Sequence, residues 1–297
     1  MANLAITIHT SYRDYLALCK LPVVALMLIT SLVGMQLATP ALLNWQPVVF
    51  ACLGIGCVAS ASAGFNHFLD YQLDRLMQRT QQRPLPAGKI LPKQAFLFSM
   101  GLGIVGSGIL VIWINVLTAL LALFSLLGYS LVYTAFLKRN TPQNIVIGGL
   151  AGATPPLLGW TAITNHIDPN SLVLVLIIFI WTPPHFWSLA IHRYQDYQKA
   201  NIPMLPITHG VKLTAFSILL YTVLLSVVSL LPFITGLSGV FYLAVNLILN
   251  TGFLYWAIVL FVHQSQKIAL QTFHYSNFYL LILFFALLID HYLTWSV

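Results

Sequence analysis

Long apolar segments separated by short polar connections run through almost the whole chain. Nine of these segments approach the length of about 20 residues that an α-helix needs to cross a bilayer. They lie at about residues 21–39, 47–65, 95–114, 116–136, 143–161, 171–190, 214–235, 239–262 and 276–294. The pattern predicts an all-α, polytopic membrane protein with nine transmembrane helices.

The composition agrees with this prediction and excludes a soluble domain. Hydrophobic residues make up 59% of the chain and charged residues only 6%, whereas soluble domains contain roughly 25% charged residues. The N-terminus lacks a charged start followed by a short apolar run and a cleavage site, so we expect no removed signal peptide. We therefore expect residues 1–297 to form a single membrane-embedded domain.

The distribution of basic residues predicts the orientation of the nine spans. Nine spans place alternate connections on opposite sides, and all thirteen Lys and Arg residues then fall on the side of the N-terminus. The positive-inside rule assigns this basic side, with the N-terminus, to the cytoplasm. The net charge of +7 is therefore a topology signal, and no exposed domain is predicted that could bind nucleic acid.

Two connections on the basic side are long, at about residues 66–94 and 191–213. Functional residues concentrate in such loops. Each connection follows an even-numbered span and carries acidic residues near its start, Asp70 and Asp74 in the first and Asp196 in the second. The offset of four spans suggests a weak internal repeat of spans 1–4 and 5–8, followed by span 9.

Three oxygen-bearing side chains with a spacing of four residues mark the first of these connections. In a helix, Asn66, Asp70 and Asp74 lie in one stripe along a single face. Two carboxylates this close repel each other unless a cation lies between them. Oxygen ligands without Cys or clustered His favour Mg2+ or Mn2+, and Mg2+ keeps coordination positions for substrate phosphates. This acid stripe therefore predicts a site for a diphosphate.

Basic residues that suit phosphate oxygens follow the acid stripe. Arg75, Arg79 and Arg83 come directly after it, and Lys138 ends the fourth span, from which it could reach a diphosphate on the opposite wall. One alternative is that these residues only anchor the helices at lipid headgroups. Another is that the stripe is an interfacial helix whose acids simply pair with Arg75 and Arg79.

The second long connection offers a further set of candidates. Asp196 is the only acid of this half on the basic side, and it is either a second metal ligand or the ion-pair partner of Arg193. His185 either caps a Pro-broken helix or contacts the substrate. Tyr197 and Lys199 complete the substrate-binding candidates. On the opposite side, we expect Asp168 and Asp290 in ordinary solvated loops.

These motifs together resemble a known group of membrane enzymes. The segment from Asn66 through Arg79-Thr80 to Arg83-Pro84-Leu85-Pro86 resembles the first motif of the intramembrane aromatic prenyltransferase superfamily. Three later motifs are similar to those of the protohaem IX farnesyltransferases, or haem O synthases. They are Thr141-Pro142-Gln143-Asn144, Thr182-Pro183-Pro184-His185 and Asp196-Tyr197 with Pro203-Met204-Leu205-Pro206.

The resemblance implies a fold, a reaction and partners. It implies nine helices around a central cavity with a cytoplasmic cap, in a bacterial inner membrane. The implied enzyme transfers a farnesyl group from farnesyl diphosphate to the 2-vinyl group of haem B and adds water. Asn66, Asp70, Asp74 and Asp196 would be the catalytic residues and would bind Mg2+ as the cofactor. Haem A synthase and terminal oxidase assembly are the candidate protein partners.

Some residues depart from the family pattern. Lys20-Leu21-Pro22 replaces a Lys-Pro-Arg and so lacks one possible anion-binding Arg, and Gln195 stands where a second Asp is common.

Two alternative functions remain. One is prenyl transfer to a quinone precursor or a chlorin. The other is membrane transport, although transporters commonly carry ionisable residues near the bilayer midplane, whereas every acid here lies at or beyond the end of a predicted span.

Overall fold

The computed structural model describes residues 11–40 and 43–295, and this part of the chain is helical without strands. The helices in chain order are α1 Tyr12–Leu18, α2 Leu21–Leu37, α3 Trp45–Asp74, α4 Pro92–Trp113, α5 Val116–Leu127, a π-helix Gly128–Leu137, α6 Lys138–Asn140, α7 Asn144–Gly152, α8 Pro155–Thr164, α9 Pro169–His192, α10 Tyr194–Lys199, α11 Leu205–Val228, α12 Leu231–Ile234, α13 Val240–His263 and α14 Gln266–Trp295.

The prediction of an all-α protein with nine membrane helices is confirmed. Among the described residues, eight helical segments are long and apolar enough to cross a membrane, and α1 with α2 forms a ninth that is bent by 51°. Three of the other eight are also broken along their length. The fourth passes through the π-helix, the fifth is interrupted between α7 and α8, and α11 is broken at Gly210, where φ is +83°.

Both long connections are shorter than the sequence predicted, because the helices extend beyond the apolar segments. Helix α3 continues to Asp74, and α9 continues to His192. Asn66, Asp70 and Asp74 at the end of α3 have partners inside the bundle, so the helix continues without exposing them to lipid. The first connection is reduced to residues 75–91, and the second to residues 193–204, which contain α10.

Close backbone contacts hold the first span against the fifth. Helix α2 packs against α8, and Ser31 Oγ donates a hydrogen bond of 2.8 Å to the carbonyl oxygen of Pro155. A Cβ atom at Gly34 would overlap the backbone of Pro156, and one at Gly159 would overlap that of Ser31. Glycine is therefore required at both positions for the helices to approach this closely.

The expectation of a solvated loop is wrong for Asp290. This residue lies inside α14 and is 1% exposed. Its carboxylate accepts hydrogen bonds from the backbone N–H groups of Gly239 and Tyr242, at the start of α13. Buried helix termini need such acceptors, because their first N–H groups have no partner within the helix. Asp168 has a similar role as the N-cap of α9.

Candidate active site

The acid stripe lies on the last three turns of α3 and faces into the bundle. Asn66, Asp70 and Asp74 are 5%, 1% and 1% exposed. Asn66 Nδ2 donates a hydrogen bond of 2.9 Å to Asp70 Oδ2, as the four-residue spacing in a helix allows. The predicted helical arrangement of these three side chains is therefore confirmed.

Each stripe residue contacts one cation from a different part of the chain. Lys138 Nζ lies 2.5 Å from Asp70 Oδ2, and Arg83 Nη1 lies 2.8 Å from Asp74 Oδ2. Lys20 Nζ donates a hydrogen bond of 2.6 Å to Asn66 Oδ1. Buried carboxylates need such partners. Cations of the first span, the first long connection and the fourth span thus converge on α3, whereas neither Arg75 nor Arg79 forms an ion pair with the acids of the stripe.

The π-helix between α5 and α6 carries the wall opposite the stripe. Thr134 Oγ1 accepts a hydrogen bond of 3.2 Å from Asn66 Nδ2 and donates one of 2.9 Å to the carbonyl oxygen of Tyr129. Lys138 follows directly after the π-helix. Such i→i+5 segments are rare and occur frequently at functional sites. Thr134 and Lys138 together bring this wall into contact with two stripe residues.

The oxygen atoms of the stripe fit a hard divalent cation. Asp70 Oδ1 is buried and has no hydrogen-bond partner among the residues that the structure describes. A buried carboxylate oxygen without a partner is costly, and a metal ion would satisfy it. Mg2+ takes one or two carboxylates and completes its coordination with water and phosphate oxygens. Asn66, Asp70 and Asp74 are therefore a donor set of the appropriate chemistry.

Asp196 does not join this donor set in the structure. It is partly exposed on α10. Within residues 11–40 and 43–295, no three His, Cys, Asp or Glu side chains are grouped closely enough to hold a metal ion. A role for Asp196 as a further ligand therefore remains a prediction.

The other predicted substrate-binding residues are distributed between the two connections. Arg79 lines a cavity beside the stripe together with Arg83. Arg75 is exposed and lies over the ring of Tyr71, 5.5 Å from its centroid. The remaining three lie around α10. Arg193 precedes this helix, Tyr197 packs against the core below it, and Lys199 is exposed at its end.

His185 lies in a stack of aromatic rings contributed by α9 and α14. The ring centroids of Trp181 and Phe273 lie 4.2 and 4.5 Å from that of the imidazole, with interplanar angles of 20° and 29°. Nδ1 of His185 lies 2.7 Å from Ser276 Oγ. His185 is inside α9, two turns before its end, so it is not the helix cap that the sequence offered as one interpretation.

Sequence reasoning missed three residues that the structure brings to the site. In the sequence, Lys20 contributes only to the topology and to a departure from a family motif, and no motif includes Thr134. Lys20 adopts a left-handed backbone conformation, with φ of 49°, in the bend between α1 and α2. The position of His67 directly after Asn66 was the one signal available for that residue.

Comparison with known proteins identifies the family. The model of the UbiA prenyltransferase family matches residues 27–288, which is most of the chain. The chain belongs to the UbiA prenyltransferase family. The acid stripe and the cations around it lie within or directly beside this match.

Curated members of the UbiA family resemble the chain over nearly its full length. Protoheme IX farnesyltransferase of Legionella pneumophila (strain Lens) is 54% identical over 281 residues, which cover 95% of this chain and 96% of that protein. Protoheme IX farnesyltransferase 1 of Pseudomonas putida (strain GB-1) is 55% identical over 293 residues, which cover 99% of both. These relatives confirm the resemblance to protohaem IX farnesyltransferases that the motifs indicated.

Solved UbiA-family structures share the fold. A digeranylgeranylglyceryl phosphate synthase superposes with a TM-score of 0.79 at 21% identity, covering 94% of this chain and 98% of that one. A UbiA homologue from Archaeoglobus fulgidus, bound to DMAPP and Mg2+, superposes with a TM-score of 0.67 at 18% identity, covering 92% and 98%. The chain is thus an integral, multi-pass membrane protein of the prenyltransferase fold.

Proposed function

We propose that this UbiA-family protein transfers the farnesyl group of farnesyl diphosphate to the 2-vinyl group of haem B, with addition of water. The observation that carries the proposal is the 54% identity, over nearly both full lengths, to a protein named protoheme IX farnesyltransferase. The buried acid stripe with its three cations supports the diphosphate half of the reaction. The product is haem O, and diphosphate is released.

The proposed reaction conserves atoms and electrons and needs no oxidant or reductant. The bond between the farnesyl C1 atom and oxygen breaks, and its electron pair leaves with the diphosphate. The terminal carbon of the vinyl group forms a bond to C1, which leaves a cation on the carbon next to the porphyrin ring. Water adds to this carbon and loses a proton. No covalent enzyme intermediate is required.

Asn66, Asp70 and Asp74 would hold Mg2+ through their side-chain oxygens. When bound, the metal would neutralise charge on the leaving diphosphate. The buried, unpaired Oδ1 atom of Asp70 supports this assignment. A homologue from Archaeoglobus fulgidus is described as bound to both DMAPP and Mg2+, which supports the same cofactor for this chain.

The cations on the stripe would then bind the diphosphate. Lys138 and Arg83 balance the charges of Asp70 and Asp74. A metal ion bound to Asp70 and Asp74 would neutralise these carboxylates in place of Lys138 and Arg83. Both cations would then be free to donate hydrogen bonds to phosphate oxygens. Arg forks and the Lys ammonium both suit phosphate. Positive groups held in a buried site stabilise a leaving anion without the cost of reorienting water.

The second connection would close the site from the other side. We assign Asp196 as a further metal contact, and Arg193, Tyr197 and Lys199 as residues that bind the diphosphate end of the substrate. Arg75 would contribute positive potential from the surface, since it is exposed. These five roles rest on their common position on the basic side of the bundle and on the motifs that contain them.

The ring stack around His185 would form a wall for the acceptor. Trp181, His185 and Phe273 are buried or partly buried, nearly parallel rings in the membrane-embedded part of the protein. A flat, largely apolar porphyrin packs favourably on such surfaces. Aromatic faces also stabilise a neighbouring cation.

The location follows from the substrates and the charge distribution. Farnesyl chains and haem are poorly soluble in water, so an intramembrane site is suited to both. We assign the protein to a bacterial inner membrane with the basic side cytoplasmic. Haem A synthase and the terminal oxidase assembly machinery are the proposed partners, because they use the product within the same bilayer.

A comparison of acceptors tests this function. Purified protein is incubated with Mg2+, radiolabelled farnesyl diphosphate and one acceptor: haem B, 4-hydroxybenzoate as a quinone precursor, or a chlorophyllide. Label should enter the organic-soluble haem fraction only. Preferential labelling of 4-hydroxybenzoate or of the chlorin would contradict the proposed acceptor.

A further inference from the structure

The hydrogen bonds around His185 determine which of its ring nitrogens carries the proton. The hydroxyl of Ser276 donates its single proton to the carbonyl oxygen of Phe273, at 2.7 Å. The same hydroxyl oxygen lies 2.7 Å from Nδ1 of His185 and can therefore only accept, so Nδ1 is the donor. His185 is 7% exposed and forms no ion pair among the described residues, which keeps the ring neutral. The lone pair of this neutral imidazole is therefore on Nε2.

The Nε2 atom of His185 is open to a ligand. It has no hydrogen-bond partner in the part of the chain that the structure describes. The surrounding atoms do not enclose it, whereas they enclose both ring nitrogens of His67. Neutral imidazole is the commonest protein ligand of metal ions, and its other ring N–H is almost always held by an oxygen atom. His185 has both properties, because Ser276 Oγ holds its Nδ1–H group.

Neighbouring rings fix the plane of the imidazole. The rings of Trp181 and Phe273 are both stacked with it, at centroid distances of 4.2 and 4.5 Å. Nε1 of Trp181 donates a hydrogen bond of 2.8 Å to the carbonyl oxygen of Ser276, which ties this ring to α14 as well. Turning the imidazole would break the stacking and the hydrogen bond of Nδ1 together. The direction of the Nε2 lone pair is therefore set before any ligand binds.

His185 lies on the face of α9 between α7 and α14. Thr182, three residues earlier and thus on a neighbouring part of the surface, packs against α7, since a Cβ atom at Gly149 would lie only 3.0 Å from Thr182 Cγ2. Trp187, two residues later, points to the other side and contacts Tyr221 of α11, with ring centroids 5.4 Å apart. The face that carries His185 is therefore opposite the one that packs on α11.

Helix α7 connects this face to the wall of the acid stripe. It packs against the π-helix so closely that a Cβ atom at Gly148 would overlap the ring of Tyr133. The π-helix contacts the stripe through Thr134. Both α3 and α9 end on the basic side, and Asn66 and His185 each lie about two turns before the end of their helix. The imidazole and the acid stripe are therefore at similar depths along the bundle.

We infer that Nε2 of His185 is an axial ligand to the iron of the haem acceptor. The inference rests on the proposed function in taking haem B as that acceptor. Histidine is a common axial ligand of haem iron. An axial imidazole is perpendicular to the porphyrin, so the rings of Trp181 and Phe273, nearly parallel to it, would meet the porphyrin edge to face, a favourable arrangement of aromatic rings. His185 is thus a binding residue that holds the acceptor, and the bonds of farnesyl transfer change elsewhere.

The test compares two porphyrins that differ in the iron atom. Purified full-length protein in nanodiscs is titrated with haem B and with protoporphyrin IX, which contains no metal. The variant is His185→Gln, whose amide N–H can still donate to Ser276 Oγ but whose side chain is a weak ligand for iron. His263→Gln, at an exposed position at the end of α13, is the matched control. Binding of farnesyl thiodiphosphate, an unreactive diphosphate, with Mg2+ shows that each variant is folded.

His185→Gln should weaken haem B binding about tenfold or more, because the bond from nitrogen to iron is lost. Its affinity for protoporphyrin IX should change less than about twofold, since the flanking rings remain. The ferrous haem complex of the wild-type protein should give an iron–nitrogen stretching band in resonance Raman spectra. This band should shift when the histidines carry the heavy nitrogen isotope. It should be absent from His185→Gln and present in His263→Gln.

Equal losses for both porphyrins would show that His185 only packs against the ring system, and would overturn the inference. A wild-type complex without the band, unchanged haem B affinity in His185→Gln, or a band that persists in this variant would also overturn it. Failure of the proposed function is distinguishable. Wild-type protein that shows the band but forms no farnesylated haem contradicts the transfer reaction, whereas farnesylated haem formed without the band contradicts only the iron ligand.

Discussion

Lys138 Nζ lies 2.5 Å from Asp70 Oδ2, although the two residues are 68 positions apart in the chain. The lysine reaches the acid from the segment that follows the π-helix, and Asp70 is 1% exposed. The other oxygen of Asp70 has no partner among the described residues. One carboxylate therefore combines a buried ion pair with an open coordination position, which is the arrangement expected where a metal and an anion bind together.

We expect Asp70→Asn and Asp74→Asn to reduce farnesyl transfer by about 10²-fold or more, because each removes a charge that the Mg2+ site requires. Turnover is measured as farnesylated haem per purified protein. Asp168→Asn is the matched control, since asparagine also caps helices and this residue lies at the start of α9. Near-normal turnover in either stripe variant would refute the metal assignment.

Asp196→Ala should weaken Mg2+-dependent binding of farnesyl diphosphate about tenfold and leave haem B affinity within about twofold. The reason is that Asp196 is the acid of the second connection, and we assign it to the metal and not to the acceptor wall. Titration with each substrate separately measures both affinities. Unchanged farnesyl diphosphate affinity together with lost haem affinity would transfer Asp196 to the acceptor site.

The spans and their order could be predicted because lipid exposure imposes long apolar segments. The end of α3 could not, since its polar last turns are buried by partners from distant segments and therefore lie outside any apolar window. Asp290 illustrates the same limit. Its sequence neighbourhood resembles a helix end near water, yet the side chain binds the N-terminus of α13.

The sequence predicted the part of the site that lies on a single helix, but not the contacts between residues of different spans. The four-residue spacing placed Asn66, Asp70 and Asp74 on one face. Which cations pair with them depends on tertiary packing, so the sequence suggests Arg75 and Arg79 as partners, whereas the structure has Arg83 and Lys138. The weak repeat of spans 1–4 and 5–8 stays a prediction.

The orientation is tested by labelling single positions. Every Lys and Arg lies near the start of an odd-numbered span or near the end of an even-numbered span. Because successive spans run in opposite directions, all thirteen lie at one end of the bundle. A reporter near Gly88 or after Ala200 should be cytoplasmic, and one near Asn165 should be on the outer side. Labelling on the opposite side at any of these positions would contradict the predicted topology.

Asp290→Ala should lower thermal stability without changing substrate affinity. The carboxylate accepts two backbone N–H groups at the start of α13, and loss of an N-terminal cap costs about 0.5–2 kcal/mol. The unfolding temperature in detergent is the measurement. Asp290→Asn, which keeps one acceptor oxygen, should be affected less. A large change in the KM for farnesyl diphosphate at an unchanged unfolding temperature would instead indicate a role in the site.

The most direct test of farnesyl transfer to haem B is mass analysis of the haems extracted after the reaction. Purified wild-type protein is incubated with haem B, farnesyl diphosphate and Mg2+ in water enriched in the heavy oxygen isotope. The account predicts a haem heavier by one farnesyl group and one water, with the heavy isotope in its new hydroxyl group. Haem B of unchanged mass from protein that has bound both substrates would contradict it.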